Sequence, residues 1–161
     1  MKSHVDYMRL ALEQARIAEQ KNEVPVGAVV VVNDQVIGVG HNQSIATHDP
    51  SAHAEMMAIR EAGKVLANYR MVDASLYVTL EPCPMCAGLL VHSRIRQLIF
   101  GAYDTKTGAC GSVMNICNSP LLNHQVEVLG GVLEGECSET ISKFFTRRRK
   151  EIKASKQLKN G

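Results

Sequence analysis

Apolar residues fall at helical spacing at the start of the chain. Val5, Met8, Leu12, Ala15 and Ala18 share one face, and Ser3 offers a capping hydroxyl, so residues 3–20 are expected to form an amphipathic helix. The pattern then changes to β-rich runs at 26–32 and 35–39, separated by Asn33-Asp34, the composition of a hairpin turn. Asp49-Pro50-Ser51 reads as the start of a second helix that runs to about Gly63. Residues 75–80 have the continuous apolar character of a buried strand and lead into Pro82-Cys83, after which a short helix runs to about Ser93. A further strand is expected at 97–103, then a Gly/Thr-rich stretch at 104–112, a last short strand at 126–129, and a helix from about 135 to 156 with a flexible tail at 157–161. Five strands alternating with helices imply an α/β fold, a three-layer α-β-α arrangement with a central mixed five-stranded sheet.

At 161 residues the chain is of a size for one domain, 1–161, with a single core. No apolar run approaches the roughly 20 residues of a membrane-spanning helix, and the N-terminus lacks the apolar segment of a secretory signal, so the cytoplasm is the expected compartment. Five cysteines, an odd number without a framework spacing, suit a reducing compartment, where a C-x-x-C pair reads as metal-binding or redox-active. The net charge of +2 hides an asymmetry: residues 141–161 hold eight Lys/Arg and one acid, leaving the rest of the chain at −5. A basic end on an acidic body suits a polyanion such as nucleic acid; it equally suits a solvated helix end that keeps the protein soluble.

The chemistry is concentrated in His53-Ala54-Glu55 and Pro82-Cys83-Pro84-Met85-Cys86. His53, Cys83 and Cys86 are three good zinc ligands, whereas a structural zinc site is normally closed by four, so one position is left for water. Glu55 remains as a carboxylate that need not ligate. A glutamate beside zinc-activated water is what hydrolytic deamination requires for proton transfer. His53 and Glu55 are placed in the first turn of one helix and the two thiols, at i and i+3, in the first turn of another, with Pro82 and Pro84 at early helical positions. Both helices would then point their positive ends at the metal. Alone, an H-x-E means little, and a C-x-x-C is often structural zinc or a redox pair. In this order, and with these prolines, they match the signature of zinc nucleobase deaminases.

The surrounding residues narrow the match. Glu23-Val24-Pro25-Val26-Gly27-Ala28, Gly40-His41-Asn42, His48-Asp49-Pro50, Leu76-Tyr77-Val78-Thr79-Leu80-Glu81-Pro82-Cys83, His92-Ser93-Arg94-Ile95, Gly101-Ala102-Tyr103-Asp104 and Lys106-Thr107-Gly108-Ala109 resemble the bacterial tRNA-specific adenosine deaminases, a family with the cytidine-deaminase-like fold. The resemblance spans roughly residues 4–153. It implies conversion of the wobble adenosine of a tRNA anticodon, in an arginine tRNA, to inosine with release of ammonia. It also implies one Zn2+ per chain on His53, Cys83 and Cys86, proton transfer by Glu55, and a homodimer. Asn42 matches a side chain that holds the flipped nucleotide, and Asp104 matches an acid near the preceding sugar. Lys106 joins these substrate contacts. Phe144, beside Phe145 and the run Arg147, Arg148 and Arg149, is expected to add stacking and phosphate contacts, with one phenylalanine packed inward and the other facing RNA. His41, His48, His92 and His124 carry no ligand pattern. The rival readings are a free-base or nucleoside deaminase of the same fold, acting on guanine or cytosine, and a zinc-stabilised RNA-binding module. The first has little use for a basic tail, and the second has no use for Glu55.

Overall fold

The structure is a computed structural model, and it describes residues 2–160. The elements run α1 (His4–Gln20), β1 (Gly27–Val32), β2 (Gln35–His41), α2 (Ser44–Thr47), α3 (Ala54–Leu66), β3 (Ser75–Leu80), α4 (Pro84–His92), β4 (Gln97–Ala102), β5 (Glu127–Leu129) and α5 (Glu134–Asn160). The five strands lie in the order β2-β1-β3-β4-β5. β1 pairs antiparallel with β2 and with β3, while β3, β4 and β5 run parallel, so the sheet is mixed as expected.

Strand alternation feeds two cores. Ala28, Val30, Leu76, Val78, Leu98 and Phe100 face the layer built by α3 and α4, where Ala54, Ala58, Leu90 and their neighbours are buried. Val29, Val31, Tyr77 and Ile99 point the other way, onto Tyr7, Met8 and Leu12 of α1 and Cys137 of α5. Burial on both faces explains why β1 and β3 read as continuous apolar runs. Small residues let α3 lie close on β2. A Cβ on Gly40 would overlap the Ala54 carbonyl oxygen and the Ala58 amide, so only glycine permits that approach. It seats the helix that carries the chemistry directly on the sheet.

Several expectations are corrected. Val5 is exposed, and Tyr7 and Ala11 take its place on the buried face of α1. The second helix does not begin at Asp49. Asp49 Oδ1 instead accepts the Ser51 amide and hydroxyl in a tight turn, Gln43 N–H donates to the Ala52 carbonyl, and the helix starts at Ala54 with His53 extended as its N-cap. Pro84 is the first helical residue of α4, whereas Pro82 lies before its N-cap, Cys83. The C-terminal helix continues through residues 157–160, which the sequence leaves as a tail; no glycine or proline interrupts it after Gly135, and Lys143–Glu139 and Arg147–Glu151 pair along its exposed face. Gly161 lies outside the described residues. No helix among them is long and apolar enough to cross a membrane.

Candidate active site

Two helix N-termini meet beyond the carboxyl ends of β3 and β4, the end of a parallel sheet where ligands commonly bind. His53 is the N-cap of α3 and Cys83 the N-cap of α4, each one residue before the helical turn in which the sequence places it. Neither side chain caps its own helix, so both are free to ligate. Asn42 takes over that task on α3: its Oδ1 accepts the Ala54 amide at 2.9 Å. Because a backbone N–H can only donate, this bond fixes the amide orientation and leaves Asn42 Nδ2 as the free donor.

His53 Nδ1 lies 3.7 Å from Cys83 Sγ and 3.7 Å from Cys86 Sγ. The three donor atoms all lie within 4.8 Å of one another. Tetrahedral zinc, with bonds of about 2.3 Å to sulfur and about 2.0–2.1 Å to nitrogen, sets nitrogen–sulfur separations of about 3.6 Å, so the set fits zinc with one position open. The same atoms share protons among themselves. A hydrogen bond from Cys86, reinforced by His53, holds the Cys83 thiol down to about 4. The same partnership pushes Cys86 up, and the bond to Cys83 raises His53.

Glu55 lies beside this donor set, against the Cys86 thiol, without being one of its three members. It is the second residue of α3, only 4% exposed, and it lines the cavity in front of the donor set. Burial pushes its carboxyl up to about 7, against the pull of its own backbone amide and of His53. A carboxyl poised near neutrality can both take and return a proton. The cavity encloses about 650 Å3. Asn42 and Leu80 line it near the three donor side chains, the Asp104–Thr107 turn forms one rim, and Ser142 and Phe145 of α5 form another wall.

The remaining expected contacts divide. Asp104 and Lys106 reach the cavity. Burial raises the Asp104 carboxyl, but bonds from the Thr107 amide and hydroxyl and the Lys106 amide outweigh it and hold Asp104 below the usual range. Phe144 is not available as a stacking platform. It is 3% exposed, edge-on to Phe145 and covered by the Arg147 guanidinium 5.3 Å from its ring centre. Phe145, one helical step of about 100° away, is the ring that faces the cavity. Arg148 pairs with Glu151 at 3.0 Å and Arg149 donates to Thr146, both outside the cavity lining.

Two carboxylates escape sequence reasoning. Glu81, 2% exposed, accepts the amides of Asp104, Cys110 and Ser112 at 3.1 Å each, and also the Ser112 hydroxyl. It thereby holds the whole 104–112 loop against the end of β3. Glu23, also 2% exposed, accepts the Ile45 and Ala46 amides and so fixes the short helix between Asn42 and His53. The available signal is an acid set within an apolar, β-rich run, as in Thr79-Leu80-Glu81-Pro82, since a buried carboxylate must find donors.

Comparison with known proteins agrees with this construction. The family model for the cytidine and deoxycytidylate deaminase zinc-binding region matches residues 1–102. The tRNA-specific adenosine deaminase of Haemophilus influenzae is 52% identical over 94% of this chain and 88% of its own length. That of Bacillus subtilis is 48% identical over 94% of each. A solved structure from work on A-to-I editing by tRNA:A34 deaminases at the wobble position of transfer RNA is 42% identical, with a TM-score of 0.81 over 84% of this chain and 98% of that one. The guanine deaminase of Bacillus subtilis superposes less well, with a TM-score of 0.62 at 29% identity over 92% of this chain and 95% of that one. Ligand set, buried glutamate and fold thus coincide with close likeness over nearly the whole chain, which belongs to the tRNA-specific adenosine deaminase family.

Proposed function

We propose that this chain is a zinc-dependent hydrolase, a single deaminase domain that converts the wobble adenosine in the anticodon of an arginine tRNA to inosine and releases ammonia. It does so with one zinc per chain, as a homodimer in the cytoplasm. The observation that carries the reaction is the buried, non-ligating Glu55 beside a three-donor metal site at the floor of a cavity large enough for a nucleoside. The RNA substrate rests on the named relatives, which match this chain more closely than the guanine deaminase does.

His53, Cys83 and Cys86 would hold the zinc, which when bound would supply Lewis acidity to the attacking water. Glu55 accepts the proton of the attacking water and returns it to the purine ring nitrogen as oxygen adds at C6. It then takes the remaining proton from the new C6 hydroxyl and passes it to the exocyclic amine, so the C6 carbonyl forms as the C6–N bond breaks and ammonia leaves. Asn42 donates from Nδ2 to the extruded nucleotide while its Oδ1 remains tied to α3. Phe145 stacks on a neighbouring base, and Phe144 acts from beneath by holding Arg147 and the α5 wall in place. Asp104 and Lys106 sit on the rim where the preceding sugar and phosphate pass. The Asp104 carboxylate suits a 2′-hydroxyl donor, which RNA has and DNA lacks. A target in an anticodon loop needs no duplex opening, so extrusion is inexpensive.

Arg148, Arg149 and the lysines beyond them lie on an exposed helix outside the cavity, a placement suited to the anticodon stem backbone. Removing residues 148–161 is expected to weaken RNA binding. It should flatten the dependence of log K on log salt by about 0.7–0.9 for each phosphate that is no longer neutralised, measured by fluorescence anisotropy across a salt series. An unchanged slope counts against α5 as an RNA-binding element.

A further inference from the structure

A second cavity, of about 670 Å3, opens at the opposite end of the sheet. It lies beside the amino ends of β3 and β4, between the start of α1 and the β1–β2 turn. Ser75 lines it, whereas Leu80, at the other end of β3 and roughly 17 Å along the strand, lines the active site. The catalytic reading makes no use of this space.

Its floor holds an unpartnered polar group. Tyr7 is 3% exposed and lines the cavity, yet its hydroxyl has no hydrogen-bond partner, the one such buried side-chain atom among the described residues. The neighbouring phenol is satisfied: Tyr77 OH bonds His4 Nδ1 at 2.7 Å. A buried hydroxyl without a partner costs about 1–3 kcal/mol, so a group that fills that bond is favoured there. The Asp34 carboxylate lies close to the Tyr7 hydroxyl without closing a hydrogen bond of good geometry, held by a turn in which Asn33 and Asp34 both adopt positive φ, 50° and 61°. Charges of both signs line the same opening. Asp34 and Asp73 are acidic and Lys2 and Arg96 basic, and among the described residues none of the four closes an ion pair. Arg96 spends one nitrogen on Ser75 Oγ at 3.4 Å and keeps its other donors.

We propose that this cavity is a binding site for a small zwitterion of the free α-amino acid class. The ammonium lies toward Asp34 and Asp73 and donates to the Tyr7 hydroxyl oxygen, and the carboxylate lies toward Arg96 and Lys2. A singly charged ligand would satisfy one side of the opening and leave the other facing a like charge. A zwitterion meets both, and the volume leaves room for its side chain.

The test is isothermal titration of the zinc-loaded full chain with a panel of free L-α-amino acids into the millimolar range. The same acids as N-acetyl derivatives and as methyl esters, and inorganic phosphate, are run beside them. At least one amino acid is expected to bind at one per chain, and masking either charge is expected to abolish binding. Tyr7→Phe is expected to weaken binding about tenfold or more while its Tm equals or exceeds that of the parent, because the substitution removes an unsatisfied hydroxyl. Arg96→Gln, at an exposed position, provides a second variant with the same expected loss. The proposal is overturned if no amino acid binds, if binding survives masking of either charge, if phosphate alone binds as well, or if Tyr7→Phe binds unchanged.

Discussion

Glu55→Ala is expected to retain about one zinc per chain and to lose deaminase activity by about 10²–10⁴-fold, the usual range for removing a general acid–base group. Metal content is unaffected because Glu55 is outside the donor set, which His53, Cys83 and Cys86 complete at tetrahedral separations. Activity falls because Glu81, the other buried carboxylate of the cavity lining, is committed to the amides of the 104–112 loop and does not take over proton transfer to the purine. Unfolding does not account for the loss. In the metal-free protein the Glu55 carboxyl is pushed up to about 7 from an ordinary value of 4.5. Its folded state therefore favours the protonated form, and stability declines as pH rises from near 4.5 through about 7, by about 3 kcal/mol in total. The isosteric Glu55→Gln, which cannot ionise, is expected to be at least as stable as the parent above pH 7 and equally inactive. Zinc by inductively coupled plasma mass spectrometry, activity, and urea midpoints at pH 5 and pH 8 separate these effects. Loss of zinc from Glu55→Ala would make Glu55 a ligand.

Glu81→Ala is expected to reduce stability by about 3–5 kcal/mol and to lower kcat/KM as well, although Glu81 touches no reacting atom. The side chain takes three backbone amides and one hydroxyl from the 104–112 loop, and its removal leaves those donors without partners. The fit around it is close: a Cβ on Gly108 would run into the Glu81 carboxyl group. Amide hydrogen exchange at Cys110 and Ser112 is expected to accelerate in the variant, and KM for RNA should rise because Asp104 and Lys106 ride on the same loop. Slow exchange at both amides together with normal stability would show that the loop holds without Glu81.

Much of the fold is legible in the sequence because its determinants are local. The strand runs at 75–80 and 97–103 and the apolar stripe of α1 are written as period and composition, and the structure alters them by a residue or two. The candidate metal donors are legible for a different reason: thiols at i and i+3 lie close together at a helix start, and coordination chemistry limits what His, Cys and Cys can jointly hold. What stays hidden depends on partners distant in sequence. Glu81 looks like an ordinary acid until the loop that begins 23 residues later folds back onto it. The Asp49 turn resembles a helix start because Asp-Pro-Ser is common there, and only the backbone bonds of Gln43, Ala52 and His53 show that the chain turns without entering a helix before Ala54. Phe144 and Phe145 cannot be told apart by composition. The packing of α5 through Cys137 onto Gly101 of β4 sets its rotation, which buries the first and turns the second to the cavity.

The most direct test of the central claim is inosine formation on an arginine-tRNA anticodon stem-loop bearing a wobble adenosine, followed by mass spectrometry. Free adenosine, cytidine and guanine are incubated beside it with the same zinc-loaded protein. The expected result is inosine at the wobble position of the stem-loop, one ammonia released for each, and no turnover of the free compounds. Deamination of a free base or nucleoside with an inert stem-loop would contradict it.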